Sequence, residues 1–204
     1  ISLFDWNAMG TKTFVGISNY LKMMQDLTFK SSLLVTGKYA LIYVLTVYVL
    51  SLAAAVFVNS IRSNKRQQAC RYLPNTVSTI VAATLWTFLF NSRNGYINKI
   101  LDGIGVGRQL FLGSRSQALI CVAIVGIWVV FGYNMIIFLS ALKDVPSEYY
   151  EAAKIDGANA VQRFFKITLP SIKGTTIFVL VTSLIASFQA FDQIRVMTSG
   201  GPGK

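Results

Sequence analysis

The chain has 204 residues, 53% of them hydrophobic and 13% charged, with 19 Lys and Arg against 8 Asp and Glu and no histidine. Charged residues approach a quarter of an ordinary soluble domain, so this composition argues for a membrane protein. The missing histidines exclude a serine-histidine triad, and Cys70 and Cys121 have no metal-ligand spacing around them, which excludes a zinc site. Both cysteines read as buried or reduced thiols.

The opening stretch, from Ile1 to Lys12, lacks the basic-then-apolar order of a signal peptide, and the chain stops in the turn-like Ser199-Gly200-Gly201-Pro202-Gly203-Lys204. Both ends read as the edges of a central fragment. A bilayer-spanning helix needs ~20 mostly apolar residues, because its backbone polar groups must pair within the segment. Four segments qualify, at about 32–58, 73–90, 118–142 and 175–197. The fold class is therefore all-α, a polytopic transmembrane helical bundle forming a single domain over 1–204.

Within the first span, Lys38 stands near one end, from where it reaches the headgroups by snorkelling or serves a solute path. Arg62, Lys65, Arg66 and Arg71 follow that span, and Pro74 marks the start of the second. The tight placement of these cations between apolar runs suits a cytoplasmic loop and not a nucleic-acid surface. A second basic group, Lys143, Lys154, Arg163, Lys166 and Lys173, separates the last two spans, so both loops are expected on the cytoplasmic side. The connection 91–117 also carries Arg93, Lys99, Arg108 and Arg115, and its glycines bound a short interfacial helix around Ile97 to Leu101.

The loop at 143–173 is too long for a plain linker. Ser147 is placed to cap a helix with Glu148 and Glu151 in its first turn, and Gly157 to end it in a left-handed cap. In a second helix Val161, Phe164, Phe165 and Ile167 share one face, away from Gln162, Arg163 and Lys166, until Leu169-Pro170 breaks it. Polar and small residues in the last two spans are candidates for a solute path: Phe131, Gly132, Asn134 and Met135 in the third, and Ser183, Ser187, Gln189, Ala190 and Asp192 in the fourth. Ser, Gly and Ala serve ordinary helix packing in membranes equally well.

Glu151-Ala152-Ala153, Asp156-Gly157-Ala158, Phe164, Ile167 and Leu169-Pro170 together resemble the EAA motif of permease subunits in binding-protein-dependent ABC importers. Phe14-Val15-Gly16-Ile17-Ser18-Asn19-Tyr20, Leu73-Pro74, Trp86 with Phe90, Gly95 with Asn98, and Gly200-Gly201-Pro202 are similar to the maltose-type sugar branch. The resemblance implies a type I importer permease core, with four of about six helices present, multi-pass in a bacterial plasma membrane. It implies that Glu151, Ala152, Ala153, Asp156, Gly157, Ala158, Phe164, Leu169 and Pro170 belong to a coupling loop docking on a separate ATPase. The family often has a proline a few residues past Leu-Pro; this chain has Lys173-Gly174, where a similar break is expected.

By the same resemblance, Phe131, Gly132, Met135, Ser183, Ala186, Ser187 and Ala190 align with solute-contacting positions. The implied partners are a second permease subunit, two cytoplasmic ATPase subunits, an extracytoplasmic binding protein, a sugar or oligosaccharide, and the bilayer; nucleic acid is not among them. No phosphate loop ending in Gly-Lys-Ser or Gly-Lys-Thr is present, so ATP and Mg would sit on the ATPases and this chain would bind no cofactor. Other readings are the same architecture importing glycerol phosphate or a polyamine, an ion-coupled transporter, for which Asp192 is the sole acid in the four spans, and a membrane-embedded enzyme.

Overall fold

The computed structural model describes residues 2–6, 10, 12–60 and 78–201. Arg62, Lys65, Arg66, Cys70, Arg71, Leu73, Pro74 and Pro202 lie outside the described residues. The chain divides into two compact units, Ile1–Lys38 and Tyr39–Lys204.

In the first unit, β1 (Phe4–Asp5) pairs antiparallel with β2 (Thr13–Phe14), and the Phe4 and Phe14 rings meet edge to face. The helix α1 (Ser18–Gln25) is tied to this hairpin by Asn19, whose side-chain amide donates to the carbonyls of Ser2 and Phe4 at 3.0 and 3.1 Å. Asp26 then stops α1 and starts α2 (Leu27–Ser60), its carboxylate accepting from the Thr28 amide at 2.7 Å.

In the second unit, α2 continues beside α3 (Thr79–Leu89), α4 (Tyr96–Gly103) and α5 (Ala118–Lys143). Beyond α5 come α6 (Ser147–Ile155), α7 (Ala160–Arg163), a π-helical stretch (Phe164–Thr168), α8 (Leu169–Ser171), α9 (Lys173–Phe188) and α10 (Phe191–Thr198). Two described helices, α2 and α5, are each long and apolar enough to cross a membrane. Their outward residues are apolar, including Leu41, Leu45, Val49 and Phe57 on α2 and Ile120 and Ile124 on α5. Water would reject such a surface, whereas acyl chains accept it.

The core forms two clusters. Tyr39, Tyr43 and Val47 of α2 meet Cys121 to Ile127 of α5 in one, and Leu52, Ala55 and Val58 meet Met135 to Leu142 in the other. The earlier parts of both helices share one cluster and the later parts share the other, so α2 and α5 run parallel. The chain therefore leaves both helices on the same face, as the two basic loops require. Small residues bring the backbones together: Ser51, Ala55, Ala82 and Ala83 are wholly buried.

The fourth expected span is not one helix. It breaks between Phe188 and Phe191, where the Gln189 amide is shared between the Ile185 and Ala186 carbonyls at 3.2 Å each and Phe191 N–H bonds back to the Gln189 carbonyl at 2.7 Å. Neither proline nor glycine stands at the break. The expected interruption near Lys173-Gly174 is present one residue earlier, at Ile172, where Ala160–Ser171 and Lys173–Phe188 meet at 71°.

The connection from α3 to α5 is organised by Asn98, which is 2% exposed. Its amide donates to the carbonyls of Ser92 and Gln109 at 3.0 and 2.9 Å, and its oxygen accepts from the Gln109 amide at 2.9 Å. At Gly95 a Cβ would stand 2.8 Å from the Asn91 nitrogen and nearer still to the Asn91 and Leu89 carbonyl oxygens, so no larger residue fits. Replacing Asn98 by Ala strands three part-buried backbone groups, and Asn98→Ala is expected to cost about 1–3 kcal/mol. A lower Tm for the detergent-solubilised variant is the readout.

Candidate coupling loop and solute cavity

In the coupling-loop candidate, Pro146 and not Ser147 takes the cap position of α6, and no side chain caps this end. The cap residue must be extended, and Pro146 at φ −59° and ψ 134° already is. Because α6 starts at Ser147, Glu148 alone stands in the first turn and Glu151 lies a turn further on. The other end follows the expectation. Gly157 has φ +76°, its N–H bonds the Lys154 carbonyl at 3.1 Å, and Ala158 N–H bonds the Ala153 carbonyl at 2.8 Å. This paired closure of a helix end requires a left-handed residue, cheap only for glycine.

Immediately after the turn, Asn159 and Gln162 form a reciprocal capping box at 2.9 Å in both directions. Gln162 was legible only as a polar face residue, although the Asn-x-x-Gln spacing carried the signal. The shared face expected for Val161, Phe164, Phe165 and Ile167 does not form. The π-helical stretch adds residues to a turn and shifts the phase, so Phe164 packs on the second core cluster with Leu169 while Val161 and Phe165 stay exposed. Ile167 is half-buried.

A second fastening joins the Tyr150 and Thr168 hydroxyls at 2.9 Å. Glu151, Ala152, Asp156, Gly157 and Pro170 are exposed, and Ala153 and Ala158 half-buried. Neither Glu151 nor Asp156 has an ion-pair partner among the described residues. The loop thus presents an apolar projection, headed by Ile155 at 88% exposure, on a base anchored in the core. A stripped apolar knob between unpaired carboxylates is suited to a partner's cleft.

About midway along α2 and α5 a cavity of about 210 Å³ opens beside the break between α9 and α10. Ala186, Gln189, Ala190, Asp192 and Gln193 line it from those two helices, Tyr43 from α2, Thr79 from α3, and Gly126, Val129 and Val130 from α5. Four expected path residues, Ala186, Gln189, Ala190 and Asp192, lie on this cavity. The others do not. Gly132, Asn134 and Met135 are buried, Phe131 is half-buried against the second core cluster and its carbonyl accepts from Ser51, and Ser183 and Ser187 are buried on α9, which packs against α5. The Ser187 hydroxyl bonds the Leu184 carbonyl at 2.6 Å.

Sequence reasoning missed Tyr43, Thr79, Gly126, Val129, Val130 and Gln193. Gly126 was the available signal, a glycine within a long apolar run. A Cβ there would lie 2.9 Å from Gln193 Nε2, 3.0 Å from Tyr43 Cε2 and 3.1 Å from the Tyr39 hydroxyl. Over this point the Gln193 amide donates to the Tyr39 hydroxyl, joining α10 to α2.

The described helices thus hold a cavity midway along the bundle and a fastened apolar projection beyond α5. Residues 48–203 match the family described as the binding-protein-dependent transport system inner membrane component, and the chain belongs to that family. It is 32% identical to a probable ABC transporter permease protein, YurN, of Bacillus subtilis, over 100% of this chain and 72% of the relative. It is 34% identical to the trehalose/maltose transport system permease protein MalF of Thermococcus litoralis, and 36% to the sn-glycerol-3-phosphate transport system permease protein UgpA of Yersinia pestis. These matches cover 94% and 93% of this chain, which spans 65% and 64% of the two relatives. The fold is similar to that of a chain from a bacterial ABC transporter importing the acidic polysaccharide alginate, with a TM-score of 0.81 and 24% identity over 93% of this chain and 68% of that one.

Gly126→Val puts a branched side chain where three helices touch. It is expected to destabilise the solubilised protein by about 1–3 kcal/mol. A conservative Val129→Ile at the cavity wall should leave Tm within about a degree of the parent, since volume changes beside open space are tolerated.

Proposed function

We propose that the chain is a permease subunit of an ATP-driven importer in a bacterial plasma membrane, and that its cargo is a sugar or oligosaccharide. It would work with a second permease subunit, two cytoplasmic ATPase subunits that bind ATP and Mg, and an extracytoplasmic binding protein that delivers the solute. The observation carrying this reading is the anchored projection at Gly157. Ile155, Val161 and Phe165 stand free for a partner while Phe164, Leu169 and the Tyr150–Thr168 hydrogen bond fix the loop to the core. Closure of the ATPases would press on Glu151 to Ala158, and the 71° elbow at Ile172 would pass the displacement to α9 and so to the cavity wall.

The lining favours a neutral solute. Tyr43, Thr79 and Gln189 offer hydroxyl and amide groups for sugar hydroxyls, and Val129 and Val130 offer apolar surface for a ring face. No arginine or lysine is among the described lining residues, and Asp192 is an acid. A phosphate group calls for a cationic partner. The glycerol phosphate reading has support from the similarity to UgpA and less from this lining.

The test is ATP hydrolysis and labelled-solute uptake in proteoliposomes holding the full-length permease pair, the ATPase and the binding protein. Uptake of a neutral sugar should require ATP and the binding protein. Gly157→Val, which forces a branched residue to φ +76°, should reduce both rates by about tenfold or more, since left-handed backbone costs 1–2 kcal/mol before any misplacement of the projection. Uptake without ATP would favour the ion-coupled reading, and saturable uptake of sn-glycerol 3-phosphate but no sugar would overturn the choice of solute.

A further inference from the structure

The connection between α3 and α5 carries an apolar surface that neither the cavity nor the coupling loop uses. At 100° per residue, α4 turns two different apolar arcs to its surroundings. One faces inward, with Asn98 buried, Leu101 half-buried and Ile97 packed on the first core cluster. The other is Tyr96, Ile100 and Ile104, at four-residue steps and 66, 66 and 68% exposed. Lys99 borders this stripe, its Nζ 5.1 Å from the centre of the Tyr96 ring.

Position and charge decide what covers the stripe. The connection starts at the end of α3 and returns at the start of the spanning helix α5, and the Asn98 hydrogen bonds hold α4 against that base. The stripe therefore lies at the height of the bilayer surface, on the side opposite the coupling loop. Residues 91–117 contain Arg93, Lys99, Arg108 and Arg115 against Asp102 alone. Arg108 takes Asp102 at 2.8 Å, the sole ion pair among the described residues, and Arg93, Lys99 and Arg115 remain exposed without an acid. Cations on the translocated side run against the usual bias of membrane proteins and call for a local counter-charge.

We propose that α4 is an interfacial helix whose Tyr96–Ile100–Ile104 stripe enters the outer leaflet at the acyl–headgroup boundary, with Arg93 and Lys99 holding anionic phospholipid headgroups. The inference rests on the transmembrane reading of α5 and is independent of the solute carried. Tyrosine at one end of the stripe suits a level where a ring is buried and its hydroxyl is wet. Lysine beside it lays its stem over the ring and its charge among the headgroups.

The experiment uses the assembled full-length transporter in nanodiscs, with a single cysteine at Ile100→Cys or Asp102→Cys carrying an environment-sensitive fluorophore. ATPase activity serves as the check on assembly and separates a failure of this inference from a failure of the importer reading. The label at 100 should be quenched by lipid brominated near the headgroup and shielded from aqueous iodide, and the label at 102 the reverse. Brominated phosphatidylglycerol should quench the label at 100 about twofold more than brominated phosphatidylcholine at equal mole fraction, and Arg93→Glu with Lys99→Glu should abolish the difference. Equal iodide access at both positions would overturn the proposal. So would shielding at 100 that appears only when the binding protein is added, which would make the stripe a protein-docking surface.

Discussion

Three helices meet at Gly126 with no side chain between them, and the polar chemistry of the bundle is arranged around that contact. Gln193 of α10 and the two tyrosines of α2 lie within 3.1 Å of where a Cβ would stand, so any larger residue must displace them. In hydrocarbon the attraction between helices comes from packing and from buried hydrogen bonds and not from expelled water. Gly126 supplies the first by allowing contact, and the Gln193–Tyr39 bond supplies the second. The cavity opens directly beside this contact, bordered by α10 and by the end of α9.

The break between α9 and α10 is the other half of that arrangement. Backbone groups released within a membrane need a partner, and irregular chain is tolerated where it borders protein or a wet cavity. Here the Gln189 amide is shared by two carbonyls, Phe191 N–H turns back onto Gln189, and the Gln189 and Ala190 side chains border the cavity. The interruption and the cavity account for each other. Each would be costly alone.

Much of this was legible in the sequence, wherever a single residue type carries the constraint. Gly157 announced its left-handed turn because no other residue adopts that φ cheaply, the charge and glycine of 91–117 and 143–173 marked where the described apolar helices stop, and the EAA pattern indicated the family. The failures share a physical cause. Hydropathy has no phase, so it could not divide 175–197 at Gln189-Ala190, where ordinary residues and a shared hydrogen bond make the break. Regular 3.6 periodicity placed Val161, Phe164, Phe165 and Ile167 together, and the π-helical stretch beginning at Phe164 redistributed them. Ser147 looked like a cap because serine usually is one, but its neighbour Pro146 already holds the extended geometry the position needs.

Ser183 and Ser187 are polar residues of a span that are buried in helix packing and do not line the cavity. They lie with Val179 along the buried face of α9, and the Ser187 hydroxyl is satisfied within its own helix. A face of short side chains makes a close contact without long interlocking knobs, and the Ser187 hydroxyl makes its hydrogen bond within its own helix. Bulky residues there would fix one register. The helix so bordered is 16 residues long, about 24 Å, with the elbow at Ile172 at one end and the cavity at Gln189 at the other. A stiff helix with a fastened elbow at its base would carry a push there to the break at its other end. In the proposed importer such a helix would link the coupling loop to the cavity, with the serines at the helix contact and Tyr43, Thr79 and Gln189 at the cavity wall.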